Sequence, residues 1–263
     1  MTTRDDAWPD GTPAWVDLMV PDRHAARDFY GALFGWEFDE GSPETGYYTT
    51  CLRQGRPAAG IGEAPPGGEA PPPVWTTYLA TSDAGAAAKR ISQAGGAVMM
   101  EPMQVMEFGS MAVVADPTGA VFGLWQAGQH KGAGIANEPG TLTWNECMTR
   151  DFESAKAFYT NVFGFTTQDM SGDGFTYNTL ELDGQTVGGL GDLGQTVPPE
   201  VPAHWMTYFA VEDTDATAAK AGELGGTVRS EARDSEFGRI AVLEGPSGEV
   251  FSVITAPSGQ AQG

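Results

Sequence analysis

Only two of the 263 residues are cysteine, Cys51 and Cys147, and they stand far apart with no CxxC spacing. That excludes a disulfide framework and a zinc motif and fits a reducing compartment, so the expected location is the cytoplasm. Basic residues are scarce as well: 14 Lys plus Arg face 35 Asp plus Glu, a formal charge of -21. Such a surface repels phosphate backbones and anionic lipid headgroups, which removes nucleic acid and membrane surfaces from the expected partners. No run of about 18 apolar residues is free of charge or glycine, and Met1-Thr2-Thr3-Arg4-Asp5-Asp6 carries no apolar signal region. Nothing is therefore expected to span or cross a membrane. What the chain does have is 41% hydrophobic and 10% aromatic residues, too much apolar surface for a disordered chain. At roughly 100 to 200 residues per domain, its length allows one large domain or two ordinary ones.

Self-similarity decides for two. Trp15, Met19, Asp22, Ala26, Phe29, Tyr30, Phe34 and Gly35 recur 129 positions later as Trp144, Met148, Asp151, Ala155, Phe158, Tyr159, Phe163 and Gly164. The offset becomes 130 for Trp75, Thr77, Tyr78, Gly95 and Gly96, then returns to 129 for Phe108-Gly109, Pro117, Gly119 and Phe122. A period this long is not that of a solenoid, and each copy is large enough to hold its own core. The expected domains are residues 12–127 and 141–256, with the glycine-rich stretch 128–140 as linker.

Within a copy, strand and helix patterns alternate. Trp15 to Val20 alternates residue by residue, and Asp22 then caps a helix with Ala26, Phe29, Tyr30 and Leu33 on one face before Gly35 stops it. Strand-like runs follow at Tyr47 to Leu52 and Ala58 to Ile61, then a Pro/Gly loop from Ala64 to Pro73, and a second strand and helix from Trp75 to Ala94. Three more strands are expected at Ala97 to Met100, Ser110 to Ala115 and Val121 to Trp125, with the turn Asp116-Pro117-Thr118-Gly119 before the last. Each domain thus reads as two βαβββ units, an α+β fold, with the last strand of the first unit only faintly written.

These residues resemble the vicinal oxygen chelate superfamily of glyoxalase I, bleomycin-resistance proteins, fosfomycin-modifying enzymes and extradiol dioxygenases. The carriers are Val20-Pro21-Asp22 with Phe29-Tyr30 and Leu33-Phe34-Gly35, the Ala94-Gly95-Gly96 turn, and Asp116-Pro117-Thr118-Gly119. Copy two repeats them as Asp151, Phe158-Tyr159, Phe163-Gly164, Leu224-Gly225-Gly226 and Gly245-Pro246-Ser247-Gly248. The resemblance implies a curved mixed sheet around a cavity in each domain. The tandem form is also similar to actinobacterial glyoxalase-like proteins labelled antigens or hydroxylases, a label that implies no particular chemistry.

In metal-dependent members, the resemblance implies His, Gln or Glu ligands on the first strand of each unit and on the last strand. Counted along the motif, those positions fall on Trp15, Thr76 and Gly123 in copy one and on Trp144, Met206 and Ser252 in copy two. None is a normal metal donor, so no metal and no other cofactor is expected. The three histidines do not repair this: His24 sits early on an exposed helix, His130 in the linker, and His204 at a strand end, with a pocket role as the lesser reading.

Strand parity then fills the site. Val16, Leu18 and Val20 form one apolar face, while Trp15, Asp17 and Met19 share the other with the vacated ligand position; in copy two that face holds Trp144, Glu146 and Met148. Trp125 has the parity of Gly123, where the missing ligand opens space. Trp75, Tyr78, Trp205 and Tyr208 have mixed parity, so about half should be core. Asp17 and Glu146 are either carboxylates readied by an apolar site for acid–base work or ligand binding, or carboxylates paired to a backbone amide or an Arg across the domain interface. The ligand-binding set expected beside them is Trp15, Met19, Thr76, Trp125, Trp144, Met148, Met206, His204 and Tyr208. Gly60-Ile61-Gly62 and Gly188-Gly189-Leu190-Gly191 lack the GxGxxG form and are read as bends in a curved sheet. The expected function is metal-independent binding, with or without transformation, of an apolar or aromatic small molecule. The alternatives are a pure sequestering protein and a metal-dependent lyase or dioxygenase. The chain is expected to be a monomer with an internal pseudo-dimer, or a homodimer.

Overall fold

The computed structural model describes residues 2–64, 72–195 and 197–256; residues 65–71 of the expected Pro/Gly loop lie outside them. A two-residue strand β1 (Thr2–Thr3) comes first. The first half then runs β2 (Pro13–Val20), α1 (Arg23–Phe34), β3 (Glu37–Glu40), β4 (Thr49–Arg53), β5 (Arg56–Glu63), β6 (Trp75–Ala80), α2 (Ala84–Gln93), β7 (Ala97–Val105), β8 (Gly109–Ala115) and β9 (Val121–Ala127). After β10 (Ile135–Ala136), the second half repeats it as β11 (Leu142–Thr149), α3 (Phe152–Phe163), β12 (Thr166–Asp169), β13 (Tyr177–Leu182), β14 (Gln185–Asp192), β15 (His204–Ala210), α4 (Thr214–Glu223), β16 (Thr227–Ser235), β17 (Gly238–Glu244) and β18 (Val250–Thr255).

Each half is one mixed sheet of eight strands, in the order β3-β4-β5-β2-β6-β9-β8-β7 and, identically, β12-β13-β14-β11-β15-β18-β17-β16. Two βαβββ units meet along the β2–β6 or β11–β15 pair, which is antiparallel, while β2/β5, β6/β9, β11/β14 and β15/β18 are parallel. The helix starts follow from their caps. The Asp22 carboxylate accepts from the backbone N–H groups of His24 and Ala25, and Gly35 ends α1 in the left-handed region at φ 68°. Asp151 and Gly164 do the same for α3.

The unit written faintly in the sequence is complete, and the weak strand is a different one. β5 is eight residues long with Ala58 to Gly62 buried. The strand without a sequence signal is β3, whose Glu-Phe-Asp-Glu lies largely exposed on an edge and so has no apolar alternation to display.

The helices lie between the two sheets, and the two largest core clusters each draw on both halves. Val16, Leu18, Phe29, Tyr30 and Phe34 pack with Phe209, Leu243, Phe251 and Val253 of the other half, and Leu79, Ile91, Phe122 and Leu124 pack with Phe158, Tyr159, Phe165 and Leu190. Helix α1 touches α4, and α2 touches α3. Two matching polar latches cross this layer. The Tyr30 hydroxyl donates to Glu249 Oε1 at 2.9 Å and accepts from Trp75 Nε1 at 3.0 Å; the Tyr159 hydroxyl donates to Asp116 Oδ2 at 3.0 Å and accepts from Trp205 Nε1 at 2.9 Å. The acids sit at different steps of the same turn. Counting by 129, Asp116 corresponds to Gly245 and Ala120 to Glu249, and a side chain on Gly245 would overlap the Glu249 carboxyl. One carboxylate has been exchanged for another across the turn, and the latch is kept.

The stretch between the halves is ordered rather than a free linker. Gly132 to Ala136 are buried, and β10 pairs antiparallel with β1. Ala133 N–H donates to the Ala14 carbonyl at 2.7 Å, and Gly134 N–H to the Pro57 carbonyl at 2.8 Å.

Candidate functional site

With the helices on one side, the other, concave face of each sheet is where side chains of opposite parity converge. The alternation read from the first strand holds: Val16, Leu18 and Val20 join the helix-side core, leaving Trp15, Asp17 and Met19 on the concave side. Of the four aromatic residues of mixed parity, Trp75 and Trp205 are core and latch partners, while Tyr78 and Tyr208 reach the carboxylates.

Each half builds the same cluster of four. In the first, Asp17 Oδ2 accepts from the Tyr78 hydroxyl at 3.2 Å and the Tyr48 hydroxyl at 3.3 Å, and Trp15 Nε1 donates to Tyr48 at 2.9 Å. In the second, Glu146 takes one phenol on each oxygen, Tyr208 on Oε1 at 2.6 Å and Tyr177 on Oε2 at 2.7 Å, while Trp144 Nε1 donates to Tyr177 at 2.9 Å. The extra methylene of glutamate lets both oxygens be served. The shorter aspartate leaves Oδ1 buried without a partner. Burial pushes the Asp17 carboxyl from 3.8 up to about 7, against the hydrogen bonds from Tyr78 and Tyr48 that hold it down. Burial, followed by the charge of the adjacent carboxylate, holds all four phenols above the usual tyrosine range, so they remain donors.

Tyr48 and Tyr177 are the members that parity did not supply. They are 129 positions apart, so the repeat itself carried the signal. Their seats explain the glycines: a Cβ on Gly60 would overlap the Tyr48 hydroxyl, and one on Gly189 the Tyr177 hydroxyl, while Gly62 and Gly191 make room for the Met19 and Met148 sulfurs. These glycines clear the floor for side chains. Gly189→Ala should therefore push Tyr177 off Glu146 and destabilise by about 1–3 kcal/mol, the usual cost of overpacking. Gly222→Ala on α4, where a Cβ meets nothing within 4 Å, should be neutral or stabilising. Denaturant midpoints of the two variants check this, and equal midpoints would refute the close approach.

Gly123 does not open space, because the Tyr78 ring lies over it. Ser252, its counterpart, is buried and pairs in register with Tyr208. Thr76 and Met206 are half-buried and lie across from Asp17 and Glu146. His204 starts β15 across from Met148, with Nδ1 against the Pro202 carbonyl at 2.8 Å. Hollows of about 160 and 230 Å³ lie beside the clusters rather than over them, the first lined by Trp8, Ser82, Trp125 and Lys131, the second by Gly172, Phe175, Thr176 and Asp192.

The two clusters differ in what covers them. Over the first, Trp15, Tyr78, Trp125 and Ala133 form one buried group with Trp8, Phe108 and Met111 packed on it. His130, which the sequence left in the linker, sets its ring 4.3 Å from Trp15 and 5.4 Å from Trp125. Burial draws its imidazole down to about 4. Over the second, Trp144, Tyr177, Met148, Met206 and Tyr208 remain half-buried, and Phe237 is 42% exposed with its ring 6.1 Å from Tyr177.

A divalent ion does not fit either donor set. Each cluster offers one carboxylate ringed by phenols, and among the described residues no three of His, Cys, Asp and Glu converge.

Comparison with known proteins gives a consistent picture. The model of the "Glyoxalase/Bleomycin resistance protein/Dioxygenase superfamily" matches residues 12–124 and again 141–253. "Putative glyoxylase CFP32" of Mycobacterium tuberculosis is 44% identical over 249 residues, covering 93% of this chain and 94% of that protein. "Anthracycline biosynthesis protein DnrV" of Streptomyces peucetius is 40% identical over 262 residues, covering 95% and 94%. Among solved structures, the Mn(II)-bound glyoxalase from Novosphingobium aromaticivorans superposes with a TM-score of 0.65 at 17% identity, over 94% of this chain and 82% of that one. At that identity it shares the fold.

Proposed function

From the premise that the chain belongs to the glyoxalase/bleomycin resistance protein/dioxygenase superfamily, we propose that it binds a planar, hydroxylated aromatic small molecule on a concave face, without a resident metal, and that the carboxylate there accepts the ligand's proton. The observation that carries this reading is Glu146, an acid on the floor of a half-open aromatic surface with each oxygen held by a tyrosine hydroxyl. A carboxylate has about four acceptor positions, so lone pairs remain for a ligand hydroxyl. The phenols fix its orientation in advance, which lowers the entropic cost of binding. Trp144, Tyr177, Tyr208 and Phe237 offer ring faces and edges, and Met148 and Met206 adaptable thioethers, the kind of surface on which planar rings bury area.

The relatives' names support the same ligand class. Two relatives at 40% identity are named for anthracycline biosynthesis, and an anthracycline is a planar, hydroxylated, fused-ring quinone. Glu146 is positioned to take a proton from a phenol or an acidic C–H and return it, and the donor set supports doing so as a base rather than through a metal.

Titration with 1,4-dihydroxyanthraquinone, followed by tryptophan quenching and calorimetry, tests this. Binding should persist in excess chelator, and Glu146→Gln, which stays folded by its cooperative melting curve, should weaken it about 10- to 100-fold, the value of a hydrogen bond to a charged group. Binding that needs an added divalent ion, or that is indifferent to both Glu146→Gln and Trp144→Ala, would overturn the reading.

A further inference from the structure

The two clusters are equivalent by sequence and by geometry, yet among the described residues only the first has a ring resting on its tryptophan. Trp15 corresponds to Trp144, Tyr48 to Tyr177, Tyr78 to Tyr208 and Phe108 to Phe237. What separates them is the segment after β9. Gly128 and His130 donate backbone N–H bonds to the Phe108 carbonyl at 2.8 and 3.0 Å, and Trp125 Nε1 donates to the His130 carbonyl at 3.0 Å. Further along, Trp8 Nε1 donates to the Ala133 carbonyl at 3.1 Å. These bonds hold the imidazole edge to face against Trp15, an arrangement favoured between aromatic rings. Among the described residues His130 Nε2 is buried and makes no hydrogen bond, so at that edge the ring is held by packing and not by polar pairing. The sequence of the second half has no ring at either equivalent position: 129 positions after His130 it has Gly259, and the counterpart of Trp8 is Asn137. Correspondingly, Phe108 is packed into the buried group over Trp15, whereas Phe237 is exposed.

We propose that His130 is a built-in occupant of the aromatic seat of the first half, so that the protein takes one planar aromatic ligand per chain, on the Trp144–Glu146 face of the second half. This rests on the ligand class argued above and adds where it binds, how many bind, and how a ring meets the tryptophan. A ligand ring should stand against Trp144 as the imidazole stands against Trp15.

Two measurements test it. Wild-type protein titrated with 1,4-dihydroxyanthraquinone should bind one molecule per chain, lost in Trp144→Ala and retained in Trp15→Phe. Two molecules per chain, or loss on the Trp15 side alone, would overturn the proposal. Independently of that probe, His130→Gly should melt several degrees lower than wild type, and millimolar imidazole should restore several degrees to it and none to wild type, because the vacated seat is ring-sized. His130→Phe, which keeps a ring, should melt near wild type; if it melts as low as His130→Gly and imidazole restores nothing, His130 is not an occupant of a ring seat. Should the anthraquinone bind nowhere while imidazole rescues His130→Gly, the ligand class fails and the built-in occupant stands.

Discussion

Asp17→Asn should gain on wild type by about 4 kcal/mol as pH is raised from 4 to 8, because each pKa unit carried into the folded state is worth about 1.4 kcal/mol. The direction follows from Asp17 being raised, from 3.8 to about 7, by burial. Below the unfolded value both states hold the proton and the group costs the fold nothing. Between the two values the unfolded chain releases the proton while the folded one keeps it, and stability falls with rising pH. Above the folded value the whole cost is present. Asparagine has no proton to lose, and its carbonyl still accepts from Tyr48 and Tyr78. The check is chemical denaturation of both proteins across that range, with the difference between them as readout, since the large negative charge acts on both alike. Parallel curves would mean that Asp17 is solvated in solution and that the seal over the first half is open.

Tyr30→Ala should cost about 4 kcal/mol, the usual range for a large buried ring together with polar groups left unpaired. Tyr30 is fully buried, touches Phe29, Phe34, Trp36, Trp75 and Phe251, and holds Glu249 from the opposite half. Burial already raises the Glu249 carboxyl, and the Tyr30 hydroxyl is among the groups that lower it, so removing that donor makes the ionised acid harder to keep. Tyr159→Ala should cost a similar amount through Asp116 and Trp205. Because each loss approaches the roughly 5–15 kcal/mol that holds a domain together, the double variant should fail to fold. Guanidinium denaturation reads both single variants; a loss under about 1 kcal/mol in either would show that the latches do not join the halves.

Much of this was legible before any coordinates, and particular residues show why. The offset of 129 repeats caps, glycine stops and apolar faces together, and this fixes a tandem α+β fold even though β3 and β12 carry no pattern of their own. Parity placed Trp15 with Asp17 and Trp144 with Glu146 because β2 and β11 bury one face against helices. It could not place Tyr48 or Tyr177, which reach the carboxylates from just before β4 and from the start of β13, two places away in the sheet order. Nor could it see that the Tyr78 ring would cover Gly123, since the direction of a ring is a packing outcome. His130 has no counterpart in the second copy, and a residue without a repeat, in a glycine-rich stretch, gives no sign that its ring will pack on Trp15.

The placement of all four helices between the sheets has a further consequence. Two separate chains with these faces would have to find each other by diffusion and would part on dilution below their dissociation constant. Here a short covalent tether keeps them at an effective concentration on the order of millimolar, so their association does not depend on how much protein is present. Two identical chains related by symmetry must also change together, since one substitution alters both copies. Joined in a single chain, the two outward faces are free to diverge while the shared middle stays matched, and one could be closed by its own backbone without loss of the other.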